Sequence, residues 1–234
     1  MLATTHAPWL TDADRERYDW HRADLRRRVT WEAARGMELT ESMIATVTAH
    51  AALLVAGYEP REAPFHHVRA VIIRDGTYLD HAPRAGPVRG LIDATPRRLA
   101  GQSGHGHGPV VLDWRTVQRQ LDAPSRGANV IIHEFAHKLD QLNGAADGMP
   151  PLPSRSAREL WIQTLGTNYR RLRRRGSDGL VRMYGASSPA EYFAVTSEVF
   201  FTRPHDLRGR LPRVYARLSE FYRQDPAGHP NGHP

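Results

Sequence analysis

The chain of 234 residues contains no cysteine. Disulfide scaffolds, thiolate metal sites and cysteine nucleophiles are thereby excluded together. Lysine is almost as scarce: Lys138 stands alone, and the rest of the 32 basic residues are arginine. The formal charge of +7 therefore reflects a one-sided use of arginine. It reads as a coding preference and not as a nucleic-acid surface, for which a basic balance is necessary but not sufficient. No apolar run approaches the roughly 18 residues of a membrane-spanning helix. Met1 to Trp20 lacks a basic stretch followed by an apolar core, so it does not read as a secretory signal. The expectation is a soluble cytoplasmic protein, with 40% hydrophobic residues to build its core.

From Thr11 to about Arg35 the sequence is polar, with Trp20 and Trp31 among its few large apolar groups, and reads as a surface helix stopped by Gly36. Thr40 opens a stronger helix, in which Met43, Ile44, Val47, Ala51, Leu54 and Val55 recur at helical spacing until Gly57. Val68 to Ile73 is β-branched and apolar; Asp75-Gly76 signals a hairpin with Thr77 to Leu79 as its return strand. Val88 to Ile92 and Pro109 to Leu112 predict further strands between Gly/Pro-rich and His-rich loops. After Trp114 the pattern is helical, at about 115–122, 128–142, 155–175, 189–202 and 213–224. Strands early and helices late predict an α+β fold with a small, mainly antiparallel sheet packed on helices. The division expected is a helical N-terminal segment over 1–38, a main domain over 39–224 and a disordered tail over 225–234.

His133-Glu134-Phe135-Ala136-His137 is an H-E-x-x-H motif. With this content of His and Glu, about 0.03 copies are expected by chance, so accident is a poor explanation. Ile131, Ile132, Phe135, Leu139 and Leu142 mark a helix with one buried side, ended by Asn143-Gly144. Four residues apart on that helix, His133 and His137 project from one face. Two neutral imidazoles so placed can grip one Zn²⁺ and leave a position for water. Glu134, one residue round the helix, is placed to act as general base on that water and to return the proton to the leaving amine.

A third ligand must come from elsewhere. The extended pattern H-E-x-x-H-x-x-G-x-x-H fails, because Asp140 and Asn143 stand where Gly and His are required. Asp140 is better placed to orient an imidazole than to reach the metal. Downstream, Ser188-Pro189-Ala190-Glu191 spells a capping box with Pro at the first helical position, and Glu198 follows on the same face. Spacing leaves Glu191 and Glu198 level, with Glu159 behind them.

The segment Asn129-Val130-Ile131-Ile132-His133-Glu134-Phe135-Ala136-His137-Lys138-Leu139-Asp140 resembles the Mlc titration factor A family of zinc-dependent peptidases. So do Ser188 to Val195 with Ser197 to Phe201, and Gly108 to Trp114; the resemblance runs from about Leu39 to Tyr222. The family is similar in its active site to the catalytic domain of anthrax lethal factor, which implies a zincin-like metallopeptidase. The resemblance implies Glu191 as third zinc ligand, and Tyr184, seven residues before it, as a catalytic tyrosine donating to the oxyanion. It also implies aminopeptidase-like activity on peptide or protein substrates, and a regulatory alternative in which the chain binds a transcription repressor. The basic balance and the Arg170, Arg171, Arg173, Arg174, Arg175 cluster are the sequence features that would serve such docking. Val110 to Asp113 is expected to hold a peptide as an added strand. The Gly104-His105-Gly106-His107 loop reads as a flexible polar loop, because two His without a third ligand bind metal weakly.

Overall fold

The computed structural model describes residues 7–34, 36–76, 108–144 and 146–228, together with the backbone of five short strands between 78 and 103. Thr11 caps the first helix, α1 (Asp12–Arg28): its hydroxyl receives the Asp14 N–H, and the Asp14 carboxylate receives the Thr11 N–H. The helix ends at Arg28 and does not run on to Arg35. Thr30-Trp31-Glu32-Ala33 instead forms β1 (Thr30–Ala33), pairing in parallel with β2 (Ala70–Arg74) in the register Thr30↔Ala70. Alternately exposed and half-buried, β1 carries little apolar pattern, so tertiary pairing and not local preference makes it a strand. Parallel neighbours need a crossover. That role falls to α2 (Glu41–Leu54), which is capped by Thr40 and buries Val47, Ala51 and Leu54.

On the other side of β2 lies β8 (Val110–Asp113), also parallel, with Val71↔Val110 and Ile73↔Leu112. The sheet is closed by β7 (Gly101–Ser103), antiparallel to β8, giving the order β1-β2-β8-β7. Two separate antiparallel ladders pair β3 (Tyr78–Asp80) with β6 (Arg97–Leu99) and β4 (Arg84–Ala85) with β5 (Ile92–Asp93).

The fold is α+β as expected, but the main sheet is small and largely parallel, not antiparallel. Gly76 does turn the chain, with φ of +102°. The turn does not fold back on β2: the Gly76 N–H donates to Asp113 Oδ1 at 3.0 Å and ties the ends of β2 and β8 side by side. The expected return strand pairs with β6 instead. Buried at every position, β8 is apolar from Val110 to Leu112 without alternation, as strands covered on both faces are. Residues 88–91 of the expected strand, and the 104–107 loop, lie outside the described residues.

The helical layer comprises α3 (Trp114–Leu121), α4 (Val130–Asp140), α5 (Arg155–Trp161), α6 (Thr167–Arg175), α7 (Pro189–Thr202), α8 (Pro204–Arg210) and α9 (Pro212–Tyr222). A π-helical turn over Ile162–Gly166 separates α5 from α6. The H-E-x-x-H segment was expected to bury one side, yet all of α4 is buried. It lies between the sheet, α2 and α7, so even its charged residues are taken out of water. Phe193 and Phe200 of α7 pack against Tyr222 of α9 to close the far side of the core. The chain stays packed to Gly228: the Ala227 N–H donates to the Tyr215 hydroxyl at 2.8 Å, and Ala227 is buried. No helix among the described residues is long and apolar enough to cross a membrane.

Candidate metal centre

The start of α4 is pinned by side chains. Asn129 Oδ1 accepts the Ile131 and Ile132 N–H groups, each at 3.1 Å, and Gln120 Oε1 accepts the Val130 N–H. One turn in, His133 and His137 bring their Nε2 atoms to 3.2 Å. The start of α7 faces them. Ser188 Oγ accepts the Glu191 N–H at 3.1 Å, but the Glu191 side chain does not return to complete a capping box. It turns inward, placing Oε2 2.9 Å from His133 Nε2 and 3.4 Å from His137 Nε2.

These three separations can be weighed against a tetrahedron. Zinc bonds of about 2.0–2.1 Å to nitrogen and oxygen put neighbouring ligand atoms about 3.3 Å apart. The observed 2.9, 3.2 and 3.4 Å bracket that edge, so the residues present fit the ion. The tautomer agrees. Glu198, fully buried in α7, places Oε1 2.8 Å from His133 Nδ1. A carboxylate only accepts, so Nδ1 donates and Nε2 is left to face the cluster.

Without metal, a proton holds the centre together. Burial alone would lower the His133 pKa, but the hydrogen bonds to Glu191 and Glu198 outweigh it and push it up to about 10. Burial would raise the Glu191 pKa, yet the same two imidazoles hold it well below the usual carboxylate range. Glu134 is buried beside them. Its pKa is raised, burial prevailing over the pull of His133 and His137. Tyr184 sits on a 3₁₀ turn (Met183–Ala186), 44% exposed, with its ring centroid 5.8 Å from that of His133.

Residues 3–223 match the family described as glucose-regulated metallo-peptidase M90. The chain belongs to that metallopeptidase family. Curated relatives of this M90 chain include a Mlc titration factor A from Edwardsiella ictaluri, 45% identical over 143 residues, covering 58% of this chain and 53% of the relative. The Mlc titration factor A of Yersinia pestis is 41% identical over the same length, covering 58% and 52%. The chain thus spans about half the length of the curated relatives it matches.

Other expected residues of the M90 chain fall elsewhere. Glu159 is exposed on α5, bonded to Arg155 at 2.9 Å. The exposed edge expected at Val110 to Asp113 does not exist, because β8 is paired on both sides. The Asp113 side chain is occupied as well, accepting from Gly76 N, Arg115 N and the Thr116 hydroxyl. Asp140 does not bond an imidazole; Glu198 does that, and Asp140 Oδ2 accepts the Gly148 N–H at 2.9 Å. Burial pushes the Asp140 pKa up to about 6. The lone lysine is fully buried, with Nζ donating to the Gly108 carbonyl at 2.7 Å.

Gly148 has φ of +78°, and a Cβ there would stand 2.3 Å from the Pro189 carbonyl oxygen. Asp140 therefore supports the start of α7, and so Glu191, through a residue that must be glycine. Gly148→Ala is expected to cost at least about 2 kcal/mol, from left-handed strain and a backbone clash. Thermal unfolding of the metal-free chain measures it; an unchanged midpoint would show that the contact is dispensable.

Proposed function

We propose that the chain is a zinc-dependent peptidase in which His133, His137 and Glu191 hold Zn²⁺. The observation that carries this is the mutual spacing of their three donor atoms, which matches tetrahedral edges. Bound there, the ion would supply Lewis-acid polarisation and an acidified water. Glu134 takes the proton of the attacking water and passes it to the leaving amine, and its raised pKa suits both directions of transfer. Tyr184, half-exposed beside His133, donates its phenol proton in a hydrogen bond to the carbonyl oxygen as negative charge develops there. The substrate backbone pairs with the outer edge of β7, which lies against α4 and is bonded on one side by β8. The activity is aminopeptidase-like on short peptides.

Zinc-loaded chain and Glu134→Gln, each incubated with an unbiased peptide mixture, test this reading by mass spectrometry. Cuts near amino ends, made by the unaltered chain alone, are expected. A zinc-replete chain that makes no cuts would overturn the peptidase reading; internal cuts would overturn only the aminopeptidase part.

Zinc uptake should also be coupled to protons. At neutral pH the metal-free His133 carries a proton, since its pKa lies near 10. Zinc needs the neutral ring, so binding expels about one proton and affinity rises about tenfold per pH unit between roughly pH 7 and 8.5. The competition thus begins well above the ordinary histidine range. Titration calorimetry in buffers of different ionisation enthalpy counts the protons; a count near zero would contradict this picture of the metal-free centre.

A second reading, binding of a transcription repressor, is supported by the name of the relatives, Mlc titration factor A, and by one surface feature. Arg170, Arg171, Arg173, Arg174 and Arg175 are all exposed, and no acidic partner is found for them among the described residues. Recovery of the same partners from lysate after neutralising this cluster would remove it as the docking surface.

A further inference from the structure

We propose that Arg182 is a positioning residue that sets Tyr184 against the metal centre by way of Glu198. The inference rests on the peptidase reading only for its kinetic readout. Glu198 is fully buried and serves three donors, two from α4 and its cap and one from the segment that leads into α7. Oε1 receives His133 Nδ1 at 2.8 Å and Arg182 Nη2 at 2.5 Å, while Oε2 receives the backbone N–H of Asn129 at 2.6 Å. The helix cap, a metal-facing imidazole and a guanidinium therefore take their positions from one carboxylate.

Arg182 stands at the start of the turn that carries Tyr184. Its carbonyl accepts the Gly185 N–H at 2.9 Å, and the Tyr184 carbonyl accepts the Ser187 N–H at 3.1 Å. Beneath the turn, Gly185 approaches Val181, Val195 and Leu172 so closely that a Cβ would meet them at 3.4–3.6 Å. The back of the turn is thus packed, whereas Met183 and Tyr184 are 51% and 44% exposed. The guanidinium fastens the front of the turn to the same oxygen that holds His133. Phenol and imidazole are registered to a common atom, and the spacing between a half-exposed tyrosine and a buried histidine becomes a property of the network. Hydrogen-bonded supports of this kind hold functional geometry when packing alone does not.

Arg182→Gln and Arg182→Lys separate this role from simple neutralisation of a buried carboxylate. In Arg182→Gln, amide exchange of the segment 180–188 in the metal-free chain should quicken about tenfold. Turnover should fall about 10–100-fold, with KM and zinc affinity (by chelator competition) within about threefold. Arg182→Lys keeps the charge with a different reach and should restore exchange protection and turnover only in part. Unchanged exchange in Arg182→Gln would overturn the proposal. So would full rescue by lysine, or a loss confined to zinc affinity, since either would mean that charge alone matters. Exchange needs no turnover, so a chain without peptidase activity defeats the proposed function while leaving this test of the clasp decisive.

Discussion

Glu134→Gln is expected to keep its zinc and to lose roughly a thousandfold in turnover, within the range that a positioned general acid–base supplies. The substitution preserves shape and removes only the basic oxygen and its charge. Glu134 lies on α4, which is buried along its whole length, so the amide stays confined where the carboxylate was. Removing this negative charge also removes part of the attraction for a cation, but Glu134 is adjacent to the donor triangle and not part of it. Zinc stoichiometry and affinity should therefore change far less than turnover. Metal content measured beside kcat on a peptide cut by the unaltered chain checks both halves. A variant with full zinc and turnover within about tenfold of the parent would remove Glu134 as the base.

The second large effect is a contrast between two glutamates one heptad apart. Glu191→Ala should weaken zinc binding by more than about a hundredfold, beyond the 10–100-fold typical of residues that merely orient a ligand. Its effect on the metal-free fold should be modest, because His133 can shed its proton once its partner is gone. Glu198→Ala should show the reverse balance. Zinc affinity falls about 10–100-fold, but the fold loses about 3 kcal/mol or more, because the buried His133 Nδ1–H and Asn129 N–H are left without an acceptor. Arg182 adds less to that penalty, since its side chain is 41% exposed and can turn to water. Chelator competition and thermal unfolding of both metal-free variants settle the assignment. Intact zinc binding in Glu191→Ala, with loss in Glu198→Ala, would exchange their roles.

Why the two glutamates stood level in the sequence is clear from their geometry. Helical periodicity places residues on a face but does not say how deep along that face another helix crosses. α4 and α7 pack so that the start of α7 reaches the Nε2 side of His133 while its middle reaches the Nδ1 side. Both residues touch the same ring from opposite edges, and spacing alone could not order them. The helical half of the fold was legible because its signals are local: Thr40, Asn129 and Ser188 cap the helices they precede. The sheet was less so. β1 has no apolar pattern to betray it, and the Asp75-Gly76 pair, a real turn signal, is spent on joining the ends of two parallel strands. Arg182 left no periodic trace either, for its only distinction in the sequence is to stand two residues before Tyr184.

The buried lysine has a practical corollary. Because Lys138 is the only lysine in the chain and has no exposed surface, the folded protein offers amine reagents no accessible side chain. Burial pushes its pKa down to about 8 only while the fold is closed; once uncovered, the amine regains the basicity of an ordinary lysine and is acylated faster as the pH is raised. Acylation mapped to this one side chain would accordingly count openings of the fold around α4, making Lys138 a built-in gauge of how often that helix comes free.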